Sequence, residues 1–315
     1  MSFQDEIIAG LKSQPKKLSS KFFYDEKGDV LFQEIMKLPE YYLTKCEYEI
    51  FENEKDALLQ LFSEDAPEFD LVELGAGDGF KTKILLEHFI YKGKKFHYLP
   101  IDISCHVLTE LEKELKSRFN GSLSVKCQCD EYFAAVEKIN KSTDTKKVIL
   151  FLGANIGNFD RETAVSFLTA LRDHMTHYDK LVIGFDLKKD PTLIINAYND
   201  SKGVTKAFNY NLLDRINEEM SADFMKENFK HFPVYNPVSG EAKSYLISLK
   251  NQVVHFKKTG DTIHFDYAEA IDMETSQKYD IRGIHQLAEK CGFKVRKDFF
   301  DCKQYFVDSV WMLDE

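Results

Sequence analysis

The chain has 315 residues, 43% hydrophobic and 30% charged, and its 42 basic and 52 acidic side chains give a formal net charge of −10. This length suits one large α/β unit with an elaboration, or two domains. An acidic balance with no basic block excludes a nucleic-acid backbone as substrate, and no run of 18 apolar residues exists to span a membrane, so a small molecule is the expected partner.

The opening Met1-Ser2-Phe3-Gln4-Asp5-Glu6 is acidic, without the basic n-region and apolar core of a signal peptide. A cytoplasmic protein is expected. The six cysteines, Cys46, Cys105, Cys127, Cys129, Cys291 and Cys302, are scattered. Cys127 and Cys129 fall in an expected strand whose period of two puts both on one face. No further Cys or His stands near them at metal-ligand spacing, so reduced, mostly buried thiols and no metal are expected.

Residues 1–20 carry an amphipathic stretch, Glu6-Ile7-Ile8-Ala9-Gly10-Leu11, followed by a basic polar run. Residues 30–36 have helical spacing that Pro39 stops, and the paired Tyr41-Tyr42 follow in a turn. With Tyr24 they read either as core or as pocket lining, since a buried tyrosine hydroxyl needs a partner.

From residue 46 to about 188 helices and strands alternate. A helix over 46–62 leads to an apolar strand at 69–74, which runs into Gly75-Ala76-Gly77-Asp78-Gly79 and a helix starting near Phe80. Glycines there let the backbone turn sharply and approach a ligand, at which the helix start points free N–H groups. The spacing lacks the last step of the dinucleotide fingerprint, and no Lys-Ser/Thr ending marks a P-loop. A tight turn without a ligand is the alternative.

A second strand, 96–101, ends in Asp102, placed to accept both hydroxyls of a ribose; the alternative role, a helix cap, falls more naturally to Ser104. The third, 123–129, ends in Asp130-Glu131-Tyr132-Phe133, where Asp130 suits an adenine amino group and Tyr132 or Phe133 its ring. The fourth, 148–152, runs into Gly153-Ala154-Asn155-Ile156-Gly157-Asn158, and the fifth is 181–185. Their apolar runs are those of parallel strands covered on both faces, and open α/β sheets bind ligands at the carboxyl ends of such strands.

After Asp190-Pro191 the pattern changes. Helical segments at 193–198 and 204–220 precede a β-meander over 244–267, turned at Thr259-Gly260-Asp261. A helix over 281–291 stops at Gly292, and 293–300 with 305–313 read as an antiparallel pair that rejoins the first sheet.

Several phrases in register carry a family resemblance: Lys21-Phe22-Phe23-Tyr24-Asp25, Leu38-Pro39-Glu40-Tyr41-Tyr42, Leu71-Val72-Glu73-Leu74-Gly75-Ala76-Gly77, Phe151-Leu152-Gly153 through Asn158, Ala197-Tyr198-Asn199-Asp200, Gly203 through Asn209, and Glu274-Thr275-Ser276-Gln277-Lys278-Tyr279. Together they resemble the histidine-specific methyltransferases of the ergothioneine pathway, which convert L-histidine to hercynine. The resemblance implies an α/β fold: a class I methyltransferase, Rossmann-like doubly wound sheet over 49–188 plus 278–315, with an additional α+β substrate lobe from 1–48 plus 189–277. It implies S-adenosyl-L-methionine as cofactor, S-adenosyl-L-homocysteine as product and a free amino acid as substrate; a monomer is expected.

By the same resemblance, Tyr24, Gly75, Lys81, Asp102 and Asp130 bind the cofactor. The substrate falls to Tyr41, Gly153, Asn158, Tyr198, Glu274 and Ser276: Asn158 and Tyr198 for the carboxylate, Glu274 and Ser276 for the imidazole, Tyr41 and the Gly153 carbonyl to orient the amine, the last two being the catalytic positions. Glu274-x-Ser276 also reads as a cap or turn. Where histidine-specific members have an acid followed by Met on a strand, this chain has Leu246-Ile247, which bears on the side-chain pocket. Tryptophan or another amine as substrate, and an inactive cofactor-binding relative, are the alternatives. In-line attack of an amine on a sulfonium methyl needs positioning and desolvation more than a strong base.

Overall fold

The computed structural model describes residues 2–142 and 145–314. The chain divides into two compact units, Met1–Tyr42 with Lys189–Gln277 and Leu43–Lys188 with Lys278–Glu315. Among the described residues no helix is long and apolar enough to cross a membrane.

The unit of Leu43–Lys188 and Lys278–Glu315 is built on an eight-stranded sheet. Its order is Phe293–Phe300, Phe306–Leu313, Lys180–Asp186, Lys147–Phe151, Glu68–Leu74, Lys95–Asp102, then the short Ser124–Val125, with Gln128–Cys129 also on Lys95–Asp102. Strand Phe306–Leu313 is antiparallel to both neighbours, and the strands from Lys180–Asp186 onward are parallel. Every residue of Lys147–Phe151 and Lys180–Asp186 is buried, as their unbroken apolar runs require. Helices such as Arg161–Arg172 and Ile281–Lys290 lay apolar faces on the sheet, closing a core around Phe151, Phe185 and Trp311. The chain enters at the sheet centre and crosses to either side of Glu68–Leu74, so its carboxyl end lies at the topological switch point where such sheets bind ligands.

Three expectations change here. The helix expected from residue 46 begins at Tyr42, because Leu43, Cys46, Glu47, Ile50 and Phe51 form one buried stripe; residues 43–48 therefore belong with the sheet unit. The strand expected over 123–129 breaks into two short pieces, since polar residues alternate along it at the edge of the parallel sheet. Finally, Cys105 and Cys129 are not free thiols but form a disulfide, with Cα atoms 5.2 Å apart. Pairing of Asp102 with Cys129 brings the strand end beside Cys105, the first residue of the helix Cys105–Phe119, a proximity invisible in sequence spacing. Cys127 stays free, its thiol pushed up to about 11 by burial.

The other unit holds a four-stranded sheet in the order Lys16–Lys17, Ala270–Gln277, Glu241–Ser248, Phe229–Asn236, and a separate hairpin of Gln252–Phe256 with Asp261–Phe265. The expected meander is thus divided between two sheets. Two strands escaped the sequence reading for physical reasons. Pro233 argues against a strand at Phe229–Asn236 and is tolerated because that strand is an edge. A register shift between Asp272 and Glu274 breaks the alternation of Ala270–Gln277. Helices Phe3–Lys12, Glu26–Met36 and Val204–Met220 pack on these strands around Phe23, Phe208, Phe229 and Leu246.

Candidate functional site

In the sheet unit, the loop after Glu68–Leu74 is held from both ends. Buried Glu73 accepts hydrogen bonds from Thr82 Oγ1 (2.7 Å) and Tyr98 Oη (2.5 Å), tying the strand to the first residue of the helix Thr82–Tyr91. Burial raises the Glu73 carboxyl to about 7 in spite of these donors. Gly75 has φ +75°, and a Cβ there would stand 2.9 Å from both Asn155 Nδ2 and Tyr132 Oη. Only glycine meets both demands without strain.

Asp102 binds the same loop. Its Oδ2 accepts from the Gly77 N–H and its Oδ1 from the Ser104 N–H, both at 2.9 Å, while burial raises its pKa. The helix cap is a different residue, Ser104, which accepts from Val107 N–H. A carboxylate has about four acceptor positions, so beyond the Gly77, Ser104 and Ile103 N–H groups Asp102 retains one for a hydroxyl donor. Asp130 differs in environment: Lys138 Nζ at 2.5 Å and the Glu131 N–H at 2.9 Å hold its carboxyl below the usual range. Tyr132 packs on Phe151 and Phe167 with its hydroxyl at the Gly75 turn, whereas Phe133 is exposed at its outer edge.

The turn after Lys147–Phe151 carries Gly153, at φ +71°, and Ala154, also left-handed at φ +57°. Asn158 ends the short helix Asn155–Asn158 and is exposed. Lys81 Nζ, near Gly153, is paired with Glu47, a fully buried side chain of the helix Tyr42–Phe62. The Gly153 N–H donates to Glu47 as well, 2.8 Å to Oε1 and 3.1 Å to Oε2. The sequence reading missed Glu47. Its signal was an acid within the apolar stripe formed by Leu43, Cys46, Ile50 and Phe51.

The remaining candidates lie in the other unit and converge there. Tyr24 packs edge-on against Phe32, and Phe32 against Tyr41. Tyr41 and Tyr42 pack with buried Tyr198 on Ala242. Lys189 Nζ lies 3.0 Å from Tyr42 Oη and over its ring. Ala242 is the cross-strand partner of Ser276, and Ser244 that of Glu274, so these four share one face. Glu274 and Ser276 stand on a strand, which replaces the cap or turn reading. Leu246, two residues on from Ser244, is fully buried in the core around Phe208, and Ile247 points to the opposite face.

A parallel sheet with acids at its strand ends and a glycine turn at the switch point is the arrangement of a nucleotide-binding α/β enzyme. Residues 3–313 match the family model described as "Histidine-specific methyltransferase, SAM-dependent", and the chain belongs to that family. It is 32% identical to the histidine N-alpha-methyltransferase of Mycobacterium tuberculosis over 89% of this chain and 85% of that one. It is 33% identical to ergothioneine biosynthesis protein 1 of Schizosaccharomyces pombe, over 89% of this chain and 36% of that longer protein. A 4-dimethylallyltryptophan N-methyltransferase of Claviceps purpurea is 27% identical over 91% of this chain and 88% of its own.

Proposed function

We propose that this protein transfers methyl groups from S-adenosylmethionine to the α-amino nitrogen of L-histidine, three in succession, giving hercynine and S-adenosylhomocysteine. The observation that carries the reading is the family match across residues 3–313.

The residues fit the cofactor. The turn at Gly75 stands at the carboxyl end of Glu68–Leu74, and the strand-end acids Asp102 and Asp130 supply acceptors for ribose hydroxyls and an adenine amino group. Tyr24 and Lys81 complete this set. When bound, the cofactor supplies an electrophilic methyl on a sulfonium sulfur. The chain's own task is to hold the amine deprotonated and aimed. Tyr41 and the Gly153 carbonyl orient it, Asn158 and Tyr198 fix the carboxylate, and Glu274 with Ser276 select an imidazole. An apolar side chain there would leave the Glu274 carboxylate without its partner.

A mass-spectrometric scan tests this: purified protein, S-adenosylmethionine and each common amino acid in turn, reading S-adenosylhomocysteine and methylated products. Trimethylated histidine above all others is expected, and turnover of tryptophan with histidine untouched overturns the substrate assignment. The reading also takes the protein as a cytoplasmic monomer; light scattering and cell fractionation check these two points.

A further inference from the structure

Three residues of the sheet unit that are distant in sequence meet at one buried point. Gly184 lies in the strand Lys180–Asp186 and is the cross-strand partner of Asp308 in Phe306–Leu313. Glu47 comes down from its helix onto Gly184, so closely that a Cβ at Gly184 would collide with Glu47 Oε1. The absent side chain is what makes room for the carboxylate. Glu47 and Asp308 are both fully buried. The neighbouring positive charge is Lys81, paired to Glu47.

Two buried carboxyls beside one ammonium do not both ionise. Asp308 is the neutral member: burial and the adjacent Glu47 charge raise its pKa well above the carboxylate range, and among the described residues no N–H donates to its oxygens. Glu47 instead pairs with Lys81 and accepts from the Gly153 N–H. The Asp308 proton is then the donor that a second carboxyl offers Glu47.

We propose that Glu47 is a positioning residue for methyl transfer, its carboxylate holding the Gly153 turn and the Lys81 side chain in fixed places, with Asp308 beside it on the strand paired to Gly184. The proposal rests on the reading that the Gly153 carbonyl orients the substrate amine. Glu47 holds the Gly153 N–H, which anchors the Leu152–Gly153 peptide at the residue whose carbonyl, one peptide unit on, orients the amine; a small misplacement of an orienting group costs rate more than affinity.

The test compares Glu47→Gln, Glu47→Asp, Asp308→Asn and Gly184→Ala in the full chain, with S-adenosylmethionine and histidine. Thermal melts establish that each variant folds. Glu47→Gln should lower kcat by at least tenfold with less than a threefold rise in the histidine KM, and Gly184→Ala, which displaces the same carboxylate, should follow it. Glu47→Asp should recover part of the rate. Asp308→Asn, whose amide keeps a donor toward Glu47, should lose at least tenfold less than Glu47→Gln. Difference infrared spectroscopy of the protein without substrate should show a protonated-carboxyl C=O stretch that Asp308→Asn removes. Equal kcat in Glu47→Gln and the parent overturns the positioning role, and persistence of the stretch in Asp308→Asn overturns the proton assignment. Should the parent leave histidine unmethylated, the substrate reading fails, while the infrared result still decides the state of the carboxyl pair.

Discussion

Replacing Gly75 by alanine tests the cofactor turn most directly, because the structure separates two costs. The first is conformational: φ is +75°, and a left-handed backbone costs a residue bearing a Cβ about 1–2 kcal/mol. The second is steric. The new methyl would lie 2.9 Å from Asn155 Nδ2 and from Tyr132 Oη, and the Tyr132 ring cannot retreat because Phe151 and Phe167 stand behind it, centroids 5.7 and 6.0 Å away. Overpacking of this kind adds roughly 1–3 kcal/mol. Gly77 is the internal control. It too is left-handed, at φ +54°, but a Cβ there meets nothing within 4 Å, so Gly77→Ala carries the conformational cost alone. Gly75→Ala should therefore destabilise by about 2–5 kcal/mol and Gly77→Ala by about 1–2 kcal/mol. Thermal melts should show Gly75→Ala about 2–12 °C below Gly77→Ala, at roughly 2–4 °C per kcal/mol for a unit of this size. Calorimetry should show Gly75→Ala binding S-adenosylmethionine at least tenfold more weakly than the parent. Melting temperatures equal within error for the two variants would show that Tyr132 and Asn155 yield freely, and would refute the argument that this turn is rigid.

Glu274→Ala should lower the ratio of kcat/KM for histidine over tryptophan by about 10–100-fold, the worth of a hydrogen bond to a charged group, read from competition assays. Glu73, raised to about 7 when folded against 4.5 in the unfolded chain, binds more protons folded, so its contribution to stability falls as pH rises from 4.5 to 7. Glu73→Gln, which cannot ionise, should gain about 2–3 kcal/mol on the parent between pH 5 and pH 8 in urea titrations. His231 works in the opposite sense. Burial holds it down to about 4 against 6.5, so the unfolded chain binds the extra proton and stability is lost as pH falls through that window. A His231→Asn variant should lose about 2 kcal/mol less than the parent between pH 7 and pH 5.

The sequence by itself determined the parallel sheet and the positions of its strand-end acids. Apolar runs such as Val148-Ile149-Leu150-Phe151 cannot be satisfied except with both faces covered, and glycines at 75 and 153 mark where the chain must turn. Phrases spread over the whole chain likewise marked the family, because each couples residue types that no helix or strand pattern alone demands. Tertiary structure decided the rest. Ala270–Gln277 was hidden because its register shift breaks the alternation that identifies a strand, and Phe229–Asn236 because Pro233 is admissible only at an edge, a property of the assembled sheet. The Cys105–Cys129 bond depends on the register of two neighbouring strand ends. The Glu47 and Asp308 pair depends on a missing side chain at Gly184, on a third element. An acid in an apolar stripe looks like a fault when read along the chain; only packing brings it the lysine, the amide and the second carboxyl that make burial of its charge tolerable.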